Sequence, residues 1–145
     1  MVTELKQQTI MQRASSPDEM KKISNSFHGT SVGFVPTMGY LHKGHMSLIK
    51  KSLSTCNHTV VSIFVNPIQF GPNEDLNIYP RDLERDIEKL ESAGVDVLFQ
   101  PQRETIYPKE FKIYVQVDEI TDQLCGKSRP GLFKGVITVV LKLFN

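Results

Sequence analysis

The stretch VGFVPTMGYLHKGHMSLIKKSL, residues 32–53, leads from a short apolar segment through a turn into an amphipathic segment. Val32 to Val35 reads as a buried strand, and apolar residues recur at helical spacing between Met46 and Leu53. His42 and His45 therefore stand where a strand passes into a helix N-terminus, which is the usual anion site of an α/β protein. This stretch by itself predicts an α/β fold with a phosphate-binding turn.

The rest of the chain continues the alternation of helices and strands. A first helix is expected after Ser16, where Pro17 suits the first helical position and Glu19 completes a capping box. Apolar runs predict strands, and a charged amphipathic run predicts a helix; the strands are 59–65, 95–99 and 111–117, and the helix is 81–93. Such an order predicts a Rossmann-like, doubly wound, mainly parallel sheet over residues 1–145 as one domain.

Composition excludes several classes of partner. The 145 residues include 17 basic and 16 acidic side chains, so the formal charge is only +1. No global field favours nucleic acid or a membrane surface, and an anion must be held locally. No apolar run approaches the roughly twenty residues that span a bilayer. Two widely separated cysteines and a start without a signal-peptide core predict a reduced, cytoplasmic protein.

A long loop is the second candidate for function. Residues 66–79 carry prolines, a glycine and several amides after the apolar run 59–65, and long loops in compact domains are usually functional. In parallel sheets, ligands bind at the carboxyl ends of the strands. The histidine turn and this loop should therefore emerge at the same edge of the sheet.

Four blocks of sequence together resemble one enzyme family. Residues 36–45, PTMGYLHKGH, are similar to the HIGH signature of the nucleotidylyl transferase superfamily, in the form found in the pantothenate synthetase, or pantoate and β-alanine ligase, family. Residues 64–75 resemble that family's substrate loop, 79–81 the stretch that follows it, and 128–145 a fourth block. The joint occurrence of the four blocks is far more specific than the two histidines alone.

The resemblance implies an ATP-dependent ligation. Pantoate would attack the α-phosphorus of ATP, and β-alanine would then displace AMP from the pantoyl adenylate, giving pantothenate. The implied partners are ATP with Mg²⁺, pantoate, β-alanine and a second copy of the chain. His42 and His45 are the implied catalytic residues, stabilising charge on phosphate oxygens. The implied ATP-binding residues are Met38, Gly39, Tyr40, Leu41, His42, Lys43, Gly44 and His45. The implied substrate-binding residues are Gln69, Asn66, Phe64, Tyr79, Val139 and Val140.

Departures from the family pattern leave alternatives open. The family's second domain, with its ATP loop, lies beyond Asn145, so impaired activity or a non-catalytic, decayed fragment that binds nucleotide or pantoate is the alternative function. Leu132 stands where the family usually has histidine, and leucine has no hydrogen bond to donate. The substrate loop disfavours a cytidylyl transferase. The sequence around His42 and His45 disfavours a metal ion held by protein side chains. Packing is the alternative role for Tyr79 and Val139, and an ordinary polar loop residue for Gln69.

Overall fold

The fold is an open parallel sheet with helices on both faces. A computed structural model describes residues 10–71, 74, 76–117, 125–129 and 131–145. Its strands are β1 (Gln12–Ala14), β2 (Val32–Thr37), β3 (His58–Ile63) and β4 (Val97–Phe99). Its helices are α1 (Pro17–Asn25), α2 (Lys43–Thr55), α3 (Leu83–Ala93), α4 (Arg103–Ile106), α5 (Cys125–Ser128) and α6 (Leu132–Phe144). Short 3-10 turns cover Pro67–Gln69 and Leu76–Ile78.

All strand pairs in the sheet are parallel, in the order β1-β4-β3-β2. Strands β2, β3 and β4 follow one another across the sheet, whereas β1 lies at the far edge from β2. The chain therefore crosses the whole sheet between β1 and β2 through α1. The predicted α/β class and parallel sheet are confirmed.

Successive residues of β3 show why helices cover both faces. Val60 packs with Phe27 and the apolar side of α1, whereas Val61 packs with Ile49 of α2 and Leu90 of α3. Because side chains alternate along a strand, these two clusters lie on opposite faces of the sheet. This arrangement is the doubly wound one that the sequence predicts.

Local signals define the helix ends as expected. The Ser16 hydroxyl accepts the backbone N–H of Glu19, and the Glu19 carboxylate accepts the backbone N–H of Ser16, which is a complete capping box before α1. The Asp82 carboxylate caps α3, and Gly94 ends that helix in a left-handed conformation.

Two elements differ from the sequence prediction. Strand β1 was not predicted, because three residues are too few for a recognisable alternation. The strand prediction for residues 111–117 is wrong, since this segment takes no part in the sheet. The backbone N–H of Val115 donates instead to the Thr138 hydroxyl of α6, and the Phe111 ring packs on Tyr107. Among the residues that the structure describes, no helix is long and apolar enough to cross a membrane.

Candidate functional site

The histidine turn and the long loop leave the same edge of the sheet, as predicted. Thr37, the last residue of β2, is paired with Ile63, the last residue of β3. The turn 38–42 follows the first of these residues and the loop 64–79 follows the second. The carboxyl ends of two neighbouring parallel strands thus bring both candidate segments to one crevice edge.

His42 and His45 cap helix α2, because each ring accepts one backbone N–H at the start of the helix. The Nδ1 atom of His42 accepts the N–H of Gly44 at 3.1 Å, and the Nδ1 atom of His45 accepts the N–H of His42 at 3.4 Å. The two rings stack with centroids 4.0 Å apart. The helix therefore begins at Lys43, three residues before the apolar repeat that starts at Met46. A histidine pair at i and i+3 does here what serine and glutamate do in an ordinary capping box.

This capping fixes the tautomer of each ring in its neutral form. A nitrogen that accepts a hydrogen bond carries no proton, so each neutral imidazole has its proton on Nε2. Burial, and secondly the neighbouring charge of His42, lowers the pKa of His45, while the Asp86 carboxylate partly opposes that shift. His45 is therefore a neutral N–H donor near pH 7. Two Nε2–H donors beside a helix N-terminus can bind the oxygens of a phosphate.

The turn in front of His42 is held by a buried carboxylate. Asp86 of α3 is only 2% exposed, and its two oxygens accept the backbone N–H groups of Tyr40 at 2.6 Å and Leu41 at 2.7 Å. Gly39 and Tyr40 both have positive φ, +83° and +52°, which is unfavourable for a tyrosine. A Cβ on Gly39 would lie 3.2 Å from the Asp86 carboxylate and 3.1 Å from Ile63. The carboxylate thus stabilises a left-handed turn that would otherwise relax.

Asp86 was missed by the sequence prediction, which assigned the charged residues of this helix to solvent. The signal was present, because residue 86 falls three positions after Leu83 and four before Leu90, on the apolar side of α3. An acid on that side must be paired when it is buried. In the structure Leu83 is 44% exposed, whereas Asp86 is buried and its carboxylate contacts the turn.

Cations line the cleft next to the histidine turn. The cleft encloses about 750 Å³, and its walls come from the turn, α2 and α3. Its basic side chains are His42, Lys43, Lys50, Arg85 and Lys89. The Lys89 ammonium also donates to the backbone carbonyl of Leu41. The described residues that line the cleft include no acidic side chain, so a polyanion is the ligand that fits its positive charges.

The structure separates the predicted ATP-binding residues by exposure. Gly39 and Leu41 are buried and shape the turn, whereas Tyr40, His42, Lys43 and Gly44 are exposed and Met38 and His45 are half-buried. Among the described residues, no three His, Cys, Asp or Glu side chains form a group that could hold a metal ion. A divalent cation that enters this cleft would fit there on the oxygens of a bound phosphate ligand.

Gln69 and Asn66 are joined in one hydrogen-bond network at the start of the long loop. Asn66 is 1% exposed; its amide nitrogen donates to Gln69 Oε1 and to the backbone carbonyl of Gly135, both at 3.0 Å. The Tyr107 hydroxyl donates to Asn66 Oδ1 at 2.8 Å. Gly135 of α6 is in direct contact with the loop, since a Cβ there would lie 2.7 Å from Gln69 Cα. Gln69 itself is half-buried.

The apolar residues predicted for the substrate fall into two groups. Phe64 and Val139 are buried together with Ile106, and Val140 packs against that cluster. Tyr79 is half-buried, and its ring lies edge-on to Phe70 with centroids 5.7 Å apart. Burial, and then the charge of Asp86, raises the pKa of Tyr79, which keeps its hydroxyl protonated.

An ion pair ties the long loop to the segment before α6. Arg129 Nε lies 2.5 Å from Glu74 Oε1, and Arg129 Nη2 donates to Glu74 Oε2 at 2.7 Å. The arginine, together with the backbone N–H of Gly71, lowers the pKa of Glu74. The loop is thus attached to the last helical region at Glu74 as well as at Asn66.

The sequence profile of one family, described as Pantoate-beta-alanine ligase, matches residues 10–145. The pantothenate synthetase of Caldicellulosiruptor saccharolyticus is 59% identical over 128 residues, which are 88% of this chain and 45% of that protein. That of Acetivibrio thermocellus is 61% identical over 117 residues, covering 81% and 42% of the two chains. The chain thus spans about half the length of the curated relatives it matches.

Solved structures give the same result for the fold. The pantothenate synthetase of Thermus thermophilus superposes with a TM-score of 0.84 at 47% identity, covering 92% of this chain and 48% of that one. The pantoate-beta-alanine ligase of Francisella tularensis, crystallised with beta-gamma ATP and beta-alanine, superposes with a TM-score of 0.87 at 49% identity. That match covers 92% of this chain and 52% of the other.

Proposed function

The chain belongs to the pantoate-beta-alanine ligase family, and on that premise we propose that it takes part in the ATP-dependent joining of pantoate to β-alanine. In the first step a pantoate carboxylate oxygen bonds to the α-phosphorus of ATP and pyrophosphate leaves. In the second, the β-alanine amine bonds to the acyl carbon and AMP leaves. The products are pantothenate, AMP and pyrophosphate.

The observation that carries this proposal is the reciprocal capping of His42 and His45. A carboxylate nucleophile is already ionised at neutral pH, so the first step needs no general base. Its barrier lies in the charge that develops on the α-phosphate and on the leaving pyrophosphate. Fixed Nε2–H donors can stabilise this charge, because they are already oriented before the reaction starts. Both imidazoles therefore act as electrostatic stabilisers.

The cleft beside His42 is the proposed place of the terminal phosphates. Four lysine and arginine side chains there, Lys43, Lys50, Arg85 and Lys89, offset the negative charge of the triphosphate. The turn from Met38 to Leu41 would bind the nucleotide through its backbone. Mg²⁺ brought in with the nucleotide would supply further charge neutralisation there.

The long loop is the proposed place of pantoate. Gln69 binds its oxygens as a neutral amide, which leaves the carboxylate more nucleophilic than an ion pair would. Tyr79 and the half-buried Val140 form apolar contacts, and Phe64 and Val139 support them from the core. Asn66, which is 1% exposed, belongs to this site as the residue that hydrogen-bonds Gln69.

The proposed assembly is a homodimer in the cytoplasm. Ile113 is 78% exposed and Tyr114 is 44% exposed on the extended segment after α4, and apolar side chains in this position favour contact with a second copy. Sedimentation equilibrium tests this assembly, and a monomer at micromolar concentration would contradict it. The half-buried thiol of Cys56, free in the structure, suits a reducing compartment.

Pantoate-dependent exchange of labelled pyrophosphate into ATP tests the proposed function. We expect exchange with ATP and pantoate, and its loss by a factor of about a hundred or more in His45→Ala and in His42→Ala. The matched control is His28→Ala, at an exposed position outside the site. Binding of ATP or pantoate without any exchange would contradict the catalytic proposal and favour a binding module. Exchange into CTP instead would indicate a cytidylyl transferase.

A further inference from the structure

The amide of Asn66 is held by three different partners, and one of them has fixed chemistry. Its nitrogen faces the backbone carbonyl of Gly135 and the side-chain oxygen of Gln69, and its oxygen faces the hydroxyl of Tyr107. A backbone carbonyl only accepts hydrogen bonds. The end of Asn66 that faces Gly135 must therefore be the NH₂ group.

That single constraint determines which group donates and which accepts at every hydrogen bond of the network. Because the Asn66 NH₂ group also faces Gln69, the end of Gln69 next to it must be the oxygen, which accepts. The opposite end of the Gln69 amide is then the NH₂ group. In the other direction, Asn66 Oδ1 needs a donor, and the Tyr107 hydroxyl supplies it at 2.8 Å.

Tyr107 is placed to keep this donor available. Its ring packs 5.0 Å from Phe111 and 6.1 Å from Phe64, measured between centroids. Burial raises the pKa of its hydroxyl, so that the proton stays on the oxygen throughout the physiological range. A protonated phenol beside a buried amide oxygen is a permanent donor.

We propose that Tyr107 and the Gly135 carbonyl are positioning groups that fix Asn66, and that through Asn66 they present Gln69 to its ligand as a hydrogen-bond donor. This inference rests on the proposed function for the identity of the ligand. It adds which end of the Gln69 amide faces that ligand, and which residues fix this orientation. A donor binds a carboxylate or hydroxyl oxygen and disfavours an ammonium group. The NH₂ group of Gln69 is therefore the group that faces the oxygens of pantoate.

The orientation can be measured on the protein without any ligand. Side-chain amide proton exchange, followed by ¹⁵N NMR, should show both Asn66 protons protected, because both are hydrogen-bonded and buried. The Gln69 protons should exchange close to the rate of Gln102, an exposed glutamine. Protected Gln69 protons together with rapidly exchanging Asn66 protons would overturn the proposed direction of the network.

The variant Tyr107→Phe tests the positioning role of the hydroxyl. Removing one hydrogen bond of ordinary strength should lower the protection of the Asn66 protons about fivefold to tenfold. Thr105→Val, which removes an exposed hydroxyl from the neighbouring helix α4, is the control and should leave the protection of the Asn66 protons unchanged. Unchanged protection in Tyr107→Phe would overturn the role of Tyr107. The wild-type exchange pattern tests the polarity even where this variant folds poorly.

Kinetics separate positioning from general stability. In the exchange assay, Tyr107→Phe should raise KM for pantoate about fivefold and leave KM for ATP unchanged. Gln69→Glu, which keeps the shape of the side chain but replaces the donor by a carboxylate, should weaken pantoate binding more than Gln69→Ala does. Equal effects on both substrates, or better pantoate binding in Gln69→Glu, would overturn the inference. Because the NMR experiment needs no substrate, failure of the wild-type protein to bind pantoate would count against the proposed function alone.

Discussion

The buried carboxylate of Asp86 accepts the backbone N–H of Leu41 at 2.7 Å, across 45 residues of sequence. Its second oxygen binds the neighbouring N–H of Tyr40, a residue with φ of +52°. Helix α3 thereby determines the conformation of the turn that leads into the histidine pair. The geometry of the candidate site depends on a residue that does not itself line the cleft.

Replacing this carboxylate should destabilise the protein and misplace the turn. In Asp86→Asn one of the two N–H groups faces an NH₂ group instead of an oxygen, so we expect a loss of about 2 kcal/mol in the free energy of unfolding. Urea denaturation measures the loss. Glu88→Gln, an exposed carboxylate on the same helix, is the matched control and should change stability by less than about 0.5 kcal/mol. Equal effects of the two substitutions would contradict the role given to Asp86.

The titration of His45 should respond in opposite directions to its two neighbours. The pKa of His45 lies below 6.5 because of burial and the charge of His42, while Asp86 raises it. His42→Asn removes the neighbour that lowers the pKa of His45 and should move the midpoint up, whereas Asp86→Asn should move it further down. Proton NMR of the imidazole resonances measures both shifts. Shifts of the same sign would be inconsistent with this electrostatic arrangement.

The lowered pKa of His45 predicts the direction in which the free energy of unfolding changes with pH. The folded state binds a proton at His45 less readily than the unfolded chain does, so its contribution to stability is complete above about pH 6.5. That contribution falls as the pH drops from 6.5 through the lower pKa of the folded state. His45→Gln should flatten this part of the stability curve. A curve with the same slope in both proteins would show that His45 is not responsible.

Helix α6 should not tolerate a methyl group at Gly135. Alanine in place of glycine usually stabilises a helix by about 1 kcal/mol. Here the added Cβ would lie 2.7 Å from Gln69 Cα and 2.8 Å from the Ile68 carbonyl, both of which are backbone. We therefore expect Gly135→Ala to lower the free energy of unfolding by about 2 kcal/mol, which is opposite in sign to the usual effect of this substitution. Leu141→Ala, at a 44% exposed position of α6, is the control in urea denaturation. A stabilised Gly135→Ala protein would refute the contact.

The cleft cations should make nucleotide binding depend on salt. Arg85→Ala removes one positive charge and should weaken ATP binding about fivefold at low ionic strength, with a smaller difference at high salt. Isothermal titration calorimetry at several salt concentrations measures both effects. Lys112→Ala removes an exposed lysine that does not line the cleft, and should leave ATP affinity unchanged. Identical affinities for Arg85→Ala and the wild type would place the phosphates elsewhere.

Much of the fold was predictable because its signals are close together in sequence. The capping box at Ser16 and Glu19 spans three residues, and the apolar periods of α2 and α3 lie within one helix each. The same reasoning gave a wrong prediction for the segment 111–117. A strand needs a neighbouring strand to pair with, and the N–H of Val115 donates to the Thr138 hydroxyl instead. Local patterns determine which elements form, but they do not determine which element lies beside which.

The sequence by itself thus determined the α/β class, the strand-to-helix turn with its two histidines, and the family. These follow from periodicity, from capping within a few residues, and from motifs that are contiguous in the chain. Two further contacts became visible only in the folded chain: Asp86 stabilises the turn, and the Gly135 carbonyl orients Asn66 and, through it, Gln69. A hydrogen bond across 45 or 69 residues cannot be read from local patterns, because it exists only after the helices have packed on the sheet.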